Sequence, residues 1–183
     1  MLAVATDLFR ARGYEGVGIA ELLEKSGAPR GSLYFHFPGG KQQIGAEVVA
    51  RVGEDVAVRF RELHESGVDM TTFIDRVFKA TAAESKDRCY EASCPMAALA
   101  TGFGSNDVKL AEAVRGAFNS WEAEIRLAAE ARGMSKSNAA TFASAMLTAM
   151  EGAFVISKAQ RSDAAHKNAA RAIKAFAATM LPH

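Results

Sequence analysis

The stretch "IAELLEKSGAPRGSLYFHFPGGK", residues 19–41, holds four glycines, two prolines and three aromatics within 23 positions. Ile19, Leu22 and Leu23 share one face of a short helix that Ser26-Gly27 closes. Pro29 is tolerated in the first turn of a second helix, and Pro38-Gly39-Gly40 keeps that helix short. Leu33 and Phe37 stand four apart and face a core with Leu8, Phe9, Ile19 and Leu22. Two short helices joined by a glycine-containing turn of three or four residues have the outline of a helix-turn-helix.

With Leu33 and Phe37 turned inward, Arg30, Gly31 and Tyr34 face outward. The N-terminal residues of a recognition helix meet base edges in the major groove, where Arg30 suits bidentate contact with guanine. Gly31, without a side chain, permits close backbone approach. Ser32, Tyr34, His36 and Lys41 suit phosphate oxygens, which fix register rather than sequence. Lys41 also opens the next helix, whose N-terminus favours an anion. No acid occurs from Ser26 to Lys41. Short helix pairs occur in many all-α proteins, and Tyr34, Phe35 and Phe37 also suit a core, so spacing alone leaves both readings open.

The remaining chain is helical in pattern. Leu2 to Arg12 precedes the quoted stretch, with Gly13 as its stop. After it come a long helix from Lys41, one from Met70 to Lys86, a short one from Met96 to Ala100, and one from Asp107 to Ala131. A helix capped by Ser135 reaches Gln160, and a last one capped by Ser162 or Asp163 reaches Leu181. No strand pattern, long linker or internal repeat occurs.

Apolar residues make up 49% and charged residues 23%, as expected of a soluble globular protein. The net charge of +1 argues for neither nucleic acid nor membrane, so any electrostatic case is local. Residues 137–157 carry one charge, Glu151, but are mostly small, and we read them as a closely packed soluble helix. The opening "MLAVATD" meets an acid too early for a signal peptide. Cys89 and Cys94 fit neither a disulfide scaffold nor a paired zinc motif and read as reduced thiols, with a redox-sensing pair as the alternative. Zincin, nucleophile-elbow, phosphate-loop and EF-hand motifs are missing, so no enzyme and no metal or cofactor is expected. Glu122 and Glu124 read as a solvated helix face, His64 as exposed, and His166 and His183 as surface.

Residues 3–49 resemble the DNA-binding domain of the TetR/AcrR family of bacterial transcription regulators. The resemblance rests on the A-x-x-L-F helix (Ala5, Leu8, Phe9), Gly13-Tyr14, Ile19-Ala20-x-Leu22-Leu23, and Ser32-Leu33-Tyr34-x-His36-Phe37 followed by Lys41. It implies phosphate contacts from Tyr34, His36 and Lys41, and base reading near Arg30, Gly31 and Tyr34. The "FPGGK" turn and "SCPMAAL" resemble the LmrA/YxaF branch. Two departures stand out. Gly18 occupies a position where relatives carry a capping Thr or Ser, leaving a backbone contact only. Most members have a polar or basic arm before the first helix, whereas this sequence opens at Met1-Leu2: either the start is mis-set or cut, or the protein lacks that contact, and weaker DNA affinity is then expected if nothing replaces it.

The resemblance implies an all-α fold: a three-helix helix-turn-helix domain, residues 1–45, then a helical ligand-binding and dimerisation domain, residues 46–183. It implies a cytoplasmic homodimeric repressor, released from a palindromic operator in double-stranded DNA by a small apolar or aromatic effector. The last two long helices then form the dimer interface. Ala145, Ala149, Ala153 and Ala177 allow close approach there, and Phe142, Ile156, Ile173, Phe176 and Met180 supply apolar area. A ligand cavity is expected among Trp121, Phe73, Phe78, Cys94 and Met96, with Phe103, Phe118, Met146 and Met150 as further wall residues. Core packing and a monomer core are the plainer readings of the same residues.

Overall fold

The computed structural model describes residues 1–181, so the expectation for His183 lies outside the described residues. Nine helices and no strand occur among them: α1 Leu2–Arg12, α2 Ile19–Ser26, α3 Arg30–His36, α4 Gly40–Glu65, α5 Met70–Asp87, α6 Pro95–Ala100, α7 Val108–Glu130, α8 Lys136–Gln160 and α9 Ala164–Ala178. The last helix ends three residues short of the expected Leu181. The chain forms two compact units, one of residues 1–55 with 92–118, the other of residues 56–91 with those from 119 on. The expected boundary after residue 45 falls within α4, and α4 and α7 each contribute to both units.

In the first unit, Phe9, Val17, Leu22, Leu33, Ile44 and Val48 are buried. Gly13 ends α1 at φ 73, donating its N–H to the Phe9 carbonyl at 2.8 Å. The chain then turns so that the Tyr14 N–H reaches the Ala98 carbonyl at 3.3 Å, and the Ser93 N–H reaches the Arg10 carbonyl at 3.1 Å. These bonds dock α6 on α1. Two glycines of α4 bring α7 close. A Cβ at Gly45 would lie 3.2 Å from Leu110, and one at Gly53 would lie 3.0 Å from the Ala117 Cβ.

In the second unit α9 packs on both α5 and α8. Phe73, Phe78, Trp121, Phe142, Met146 and Phe154 fill its core. Ser135 caps α8 as expected, accepting the Asn138 N–H at 3.2 Å. By length and composition alone α8 could cross a membrane. Here its Phe142, Met146, Met150 and Phe154 are buried within the chain.

Three polar expectations are corrected. Glu124 is buried rather than solvated, because Arg61 Nη2 reaches its Oε1 at 2.9 Å. His64 is half-buried, its carbonyl and Nδ1 each 3.3 Å from the Arg132 guanidinium. His166 is fully buried, with Thr81 Oγ1 at 3.1 Å from Nδ1 and Ser85 Oγ at 3.0 Å from Nε2. Two hydroxyls on α5 satisfy both ring nitrogens, which removes the penalty that makes a buried imidazole unusual.

Candidate nucleic-acid interface

The helix pair is built by three backbone devices. Gly18 precedes α2 in an extended conformation, and its carbonyl accepts the Leu22 N–H at 3.1 Å. Gly27 ends α2 in the left-handed region, φ 66 and ψ 11, where a side chain would be strained. Pro29 then sits as the N-cap of α3, one position before its expected place, and its carbonyl accepts the Leu33 N–H at 3.2 Å. Gly40, at φ 59, starts α4. Gln43 fastens that turn, accepting the Gly39 N–H at 2.9 Å and donating to the His36 carbonyl at 3.3 Å.

Leu33 is 1% exposed and anchors α3. Around it, Arg30, Gly31, Tyr34, Phe35 and His36 are exposed, with Ser32 and Phe37 half-buried. Tyr34 is 45% exposed and Phe35 82%. Phe35 was not among the residues assigned to DNA from the sequence. The signal was present, since a residue two beyond a buried helical Leu33 points about 200° away from it. Its ring lies edge-on to His36, centroids 5.1 Å apart. An apolar ring in this position suits a thymine methyl.

Lys41 is half-buried, with Nζ 4.1 Å above the Tyr14 ring. The Tyr14 hydroxyl donates to Asp107 Oδ1 at 3.4 Å, and Gln42 Nε2 donates to the same oxygen at 3.1 Å. Asp107 Oδ2 accepts the Gly104 N–H at 3.0 Å. The Gln42 hydrogen bond, followed by the Gly104 amide, holds the Asp107 carboxyl below the usual range. Burial, aided by the charge of Asp107, pushes the Tyr14 hydroxyl up, so it stays a donor. The start of α4 is thereby tied to the loop before α7 through one carboxylate. Arg12 pairs with Glu21 at 2.6 Å and also donates to the Gly16 carbonyl, joining α1 to α2.

The other predicted residues divide as follows. Phe73, Phe78, Trp121, Met146 and Met150 are buried in the second unit. Cys94 and Met96 are buried, and Phe103 and Phe118 half-buried, in the first. Neither cysteine forms a disulfide, Cys89 being exposed and Cys94 buried. Of the expected interface residues, Phe142, Ala153, Ile173 and Ala177 are buried within the chain itself. Ala145, Ala149, Phe176 and Met180 are half-buried, and Ile156 is 49% exposed.

A short, glycine-turned helix pair whose second helix is exposed and acid-free has the form of a DNA-binding helix-turn-helix. Residues 1–48 match the family described as bacterial regulatory proteins, tetR family, and residues 71–172 match the LmrA/YxaF-like transcriptional regulator C-terminal domain. The chain belongs to the TetR family of transcriptional regulators, in its LmrA/YxaF-like branch. It is 30% identical over 159 residues to the HTH-type transcriptional regulator LmrA of Bacillus subtilis, covering 86% of this chain and 84% of that one. A TetR transcriptional regulator from Legionella pneumophila shares the fold at TM-score 0.86 and 17% identity, covering 94% of this chain and 92% of the other. A cysteine mutant of the TetR family regulator CifR, complexed with double-strand operator DNA, superposes at TM-score 0.78 and 17% identity, covering 97% and 93%.

Proposed function

We propose that the chain is a homodimeric repressor that grips a palindromic operator through α3 and leaves it when a small apolar or aromatic effector binds. The observation that carries this is the outer face of α3, where Arg30, Tyr34, Phe35 and His36 are exposed while Leu33 is buried. Residues 1–45 supply the DNA-reading part and residues 46–183 the ligand-binding and dimerisation part. Arg30 reads a base. Gly31 and Gly18 admit close backbone approach, and Ser32, Tyr34, His36 and Lys41 hold phosphates. The operator complex of CifR supports this use of the fold.

Two copies are needed to meet two half-sites about 34–36 Å apart. The seam is carried by α8, where Ser144, Thr148, Val155 and Ile156 are exposed, with Ala145, Ala149 and Gly152 half-buried beside them. Small side chains let the helices approach, and Val155 and Ile156 supply apolar area. Phe142, Ala153, Ile173 and Ala177 support the seam from behind. The effector is taken up among Phe73, Phe78, Trp121, Met146 and Met150, where methionines can repack around an apolar guest. It must bind the two states unequally to release DNA. The protein works in the cytoplasm, where its operator is.

Sedimentation with a labelled palindrome tests the proposal. One dimer per palindrome is expected, with loss of the complex on adding an effector found by screening. One monomer per site, with no response to any bound small molecule, would overturn it.

A further inference from the structure

An open cleft of about 480 Å³ runs between α5 and α9. The two helices lie antiparallel along it, since Asp75 near the start of α5 pairs with Lys174 late in α9, Nζ to Oδ1 2.7 Å. At the other end Asp163 accepts from Lys167 at 2.8 Å and feels the charge of Lys86. Four lysines, 79, 86, 167 and 174, stand against two lining carboxylates, 75 and 163, with Glu84 acting on His166 from α5, so the surroundings keep a small excess of positive charge. Its floor is apolar: Phe78, Ala82, Ala83 and Ala170, with the His166 ring beneath. The space exists because alanines stand where longer side chains would fill it. Its volume falls within the roughly 300–1,000 Å³ of small-molecule sites.

We propose that this cleft binds a small amphipathic anion, an aromatic or short-chain carboxylate. Its apolar body lies on the alanine floor, and its head group lies between Lys79 and the lysines of the rim. A hydrated inorganic anion gains nothing from the floor, and a neutral hydrocarbon gains nothing from the rim. Only a ligand with both parts uses the whole site. The geometry gives Phe78 a defined role as floor. The binding does not depend on operator recognition, and it is measured on the protein alone.

Calorimetric titration of the full chain with naphthoate, its neutral alcohol counterpart and inorganic phosphate tests the proposal. Naphthoate is expected to bind more tightly than either control. Lys79→Glu, at an exposed position, and Ala82→Trp, which fills the floor, are each expected to weaken it roughly tenfold or more. Circular dichroism confirms that each variant folds, and either one alone suffices to test the site. Equal binding of phosphate would reduce the cleft to a diffuse positive patch and overturn the proposal. Naphthoate affinity unchanged in a folded Lys79→Glu or Ala82→Trp variant would place the ligand elsewhere and overturn it too. A separate gel-shift assay with naphthoate present reads coupling to DNA, so failure of the effector mechanism is distinguishable from failure of the site.

Discussion

Arg30 and Lys41 sit within a dozen residues of each other but are proposed to do different work. Arg30 is exposed at the start of α3, the position from which a guanidinium reaches base edges. Arg30→Ala should cost about 1–3 kcal/mol on the specific site and relax base preference there. Competition binding against random DNA checks this, and equal loss on both would remove Arg30 from base reading. Lys41 lies over Tyr14, beside Asp107. Lys41→Ala should weaken all DNA binding and reduce the salt slope by about one. A salt titration in which the slope is unchanged would show that Lys41 stays on the ring. His166 gives a prediction off the interface. Burial lowers its proton affinity, against the opposing charges of Asp163 and Glu84, so the unfolded chain binds the proton more readily. Stability should therefore be full above the ordinary imidazole value of about 6.5 and fall as pH drops below it. Thermal melts across that range should show the slope in the native chain and less of it in His166→Gln.

At the scale of elements, periodicity and stop residues carried most of the helix boundaries. The leucine pattern and Gly27 bounded α2, Pro38-Gly39-Gly40 bounded α3, and Ser135 began α8, because these signals act within a few residues. What periodicity could not show were contacts between distant segments. Glu124 read as solvated because its partner Arg61 lies 63 positions away. His166 read as surface because Thr81 and Ser85 are on another helix. Nor does any local pattern mark Gly45 and Gly53 as the positions that leave room for Leu110 and Ala117. Gly53→Leu should accordingly destabilise the fold by about 1–3 kcal/mol through overpacking. Chemical denaturation measures this, and a neutral effect would show that α7 yields easily. The DNA face was legible in part. Its basic residues and glycines were marked by the acid-free run, but Phe35 was masked by aromatic neighbours that suit a core equally well.

For the whole molecule, the proposed repressor needs a second copy and a way to let go. Ile156 is exposed on α8 within the proposed seam. Ile156→Glu should yield monomers in sedimentation and weaken operator binding while leaving the helical content intact. A dimer that persists would move the seam off this face. The fold class followed from sequence because every helix announces itself locally. The proposed effector site did not, because the aromatic and methionine residues suited to a cavity are the same types that fill any helical core. In the proposed repressor the outer face of α3 reads DNA as one of a symmetric pair. Selection of bound sequences from a random DNA pool tests it most directly. The predicted result is an enriched inverted repeat with half-site centres about one helical turn apart, and enrichment lost in Arg30→Ala. A pool with no enriched palindrome would contradict it.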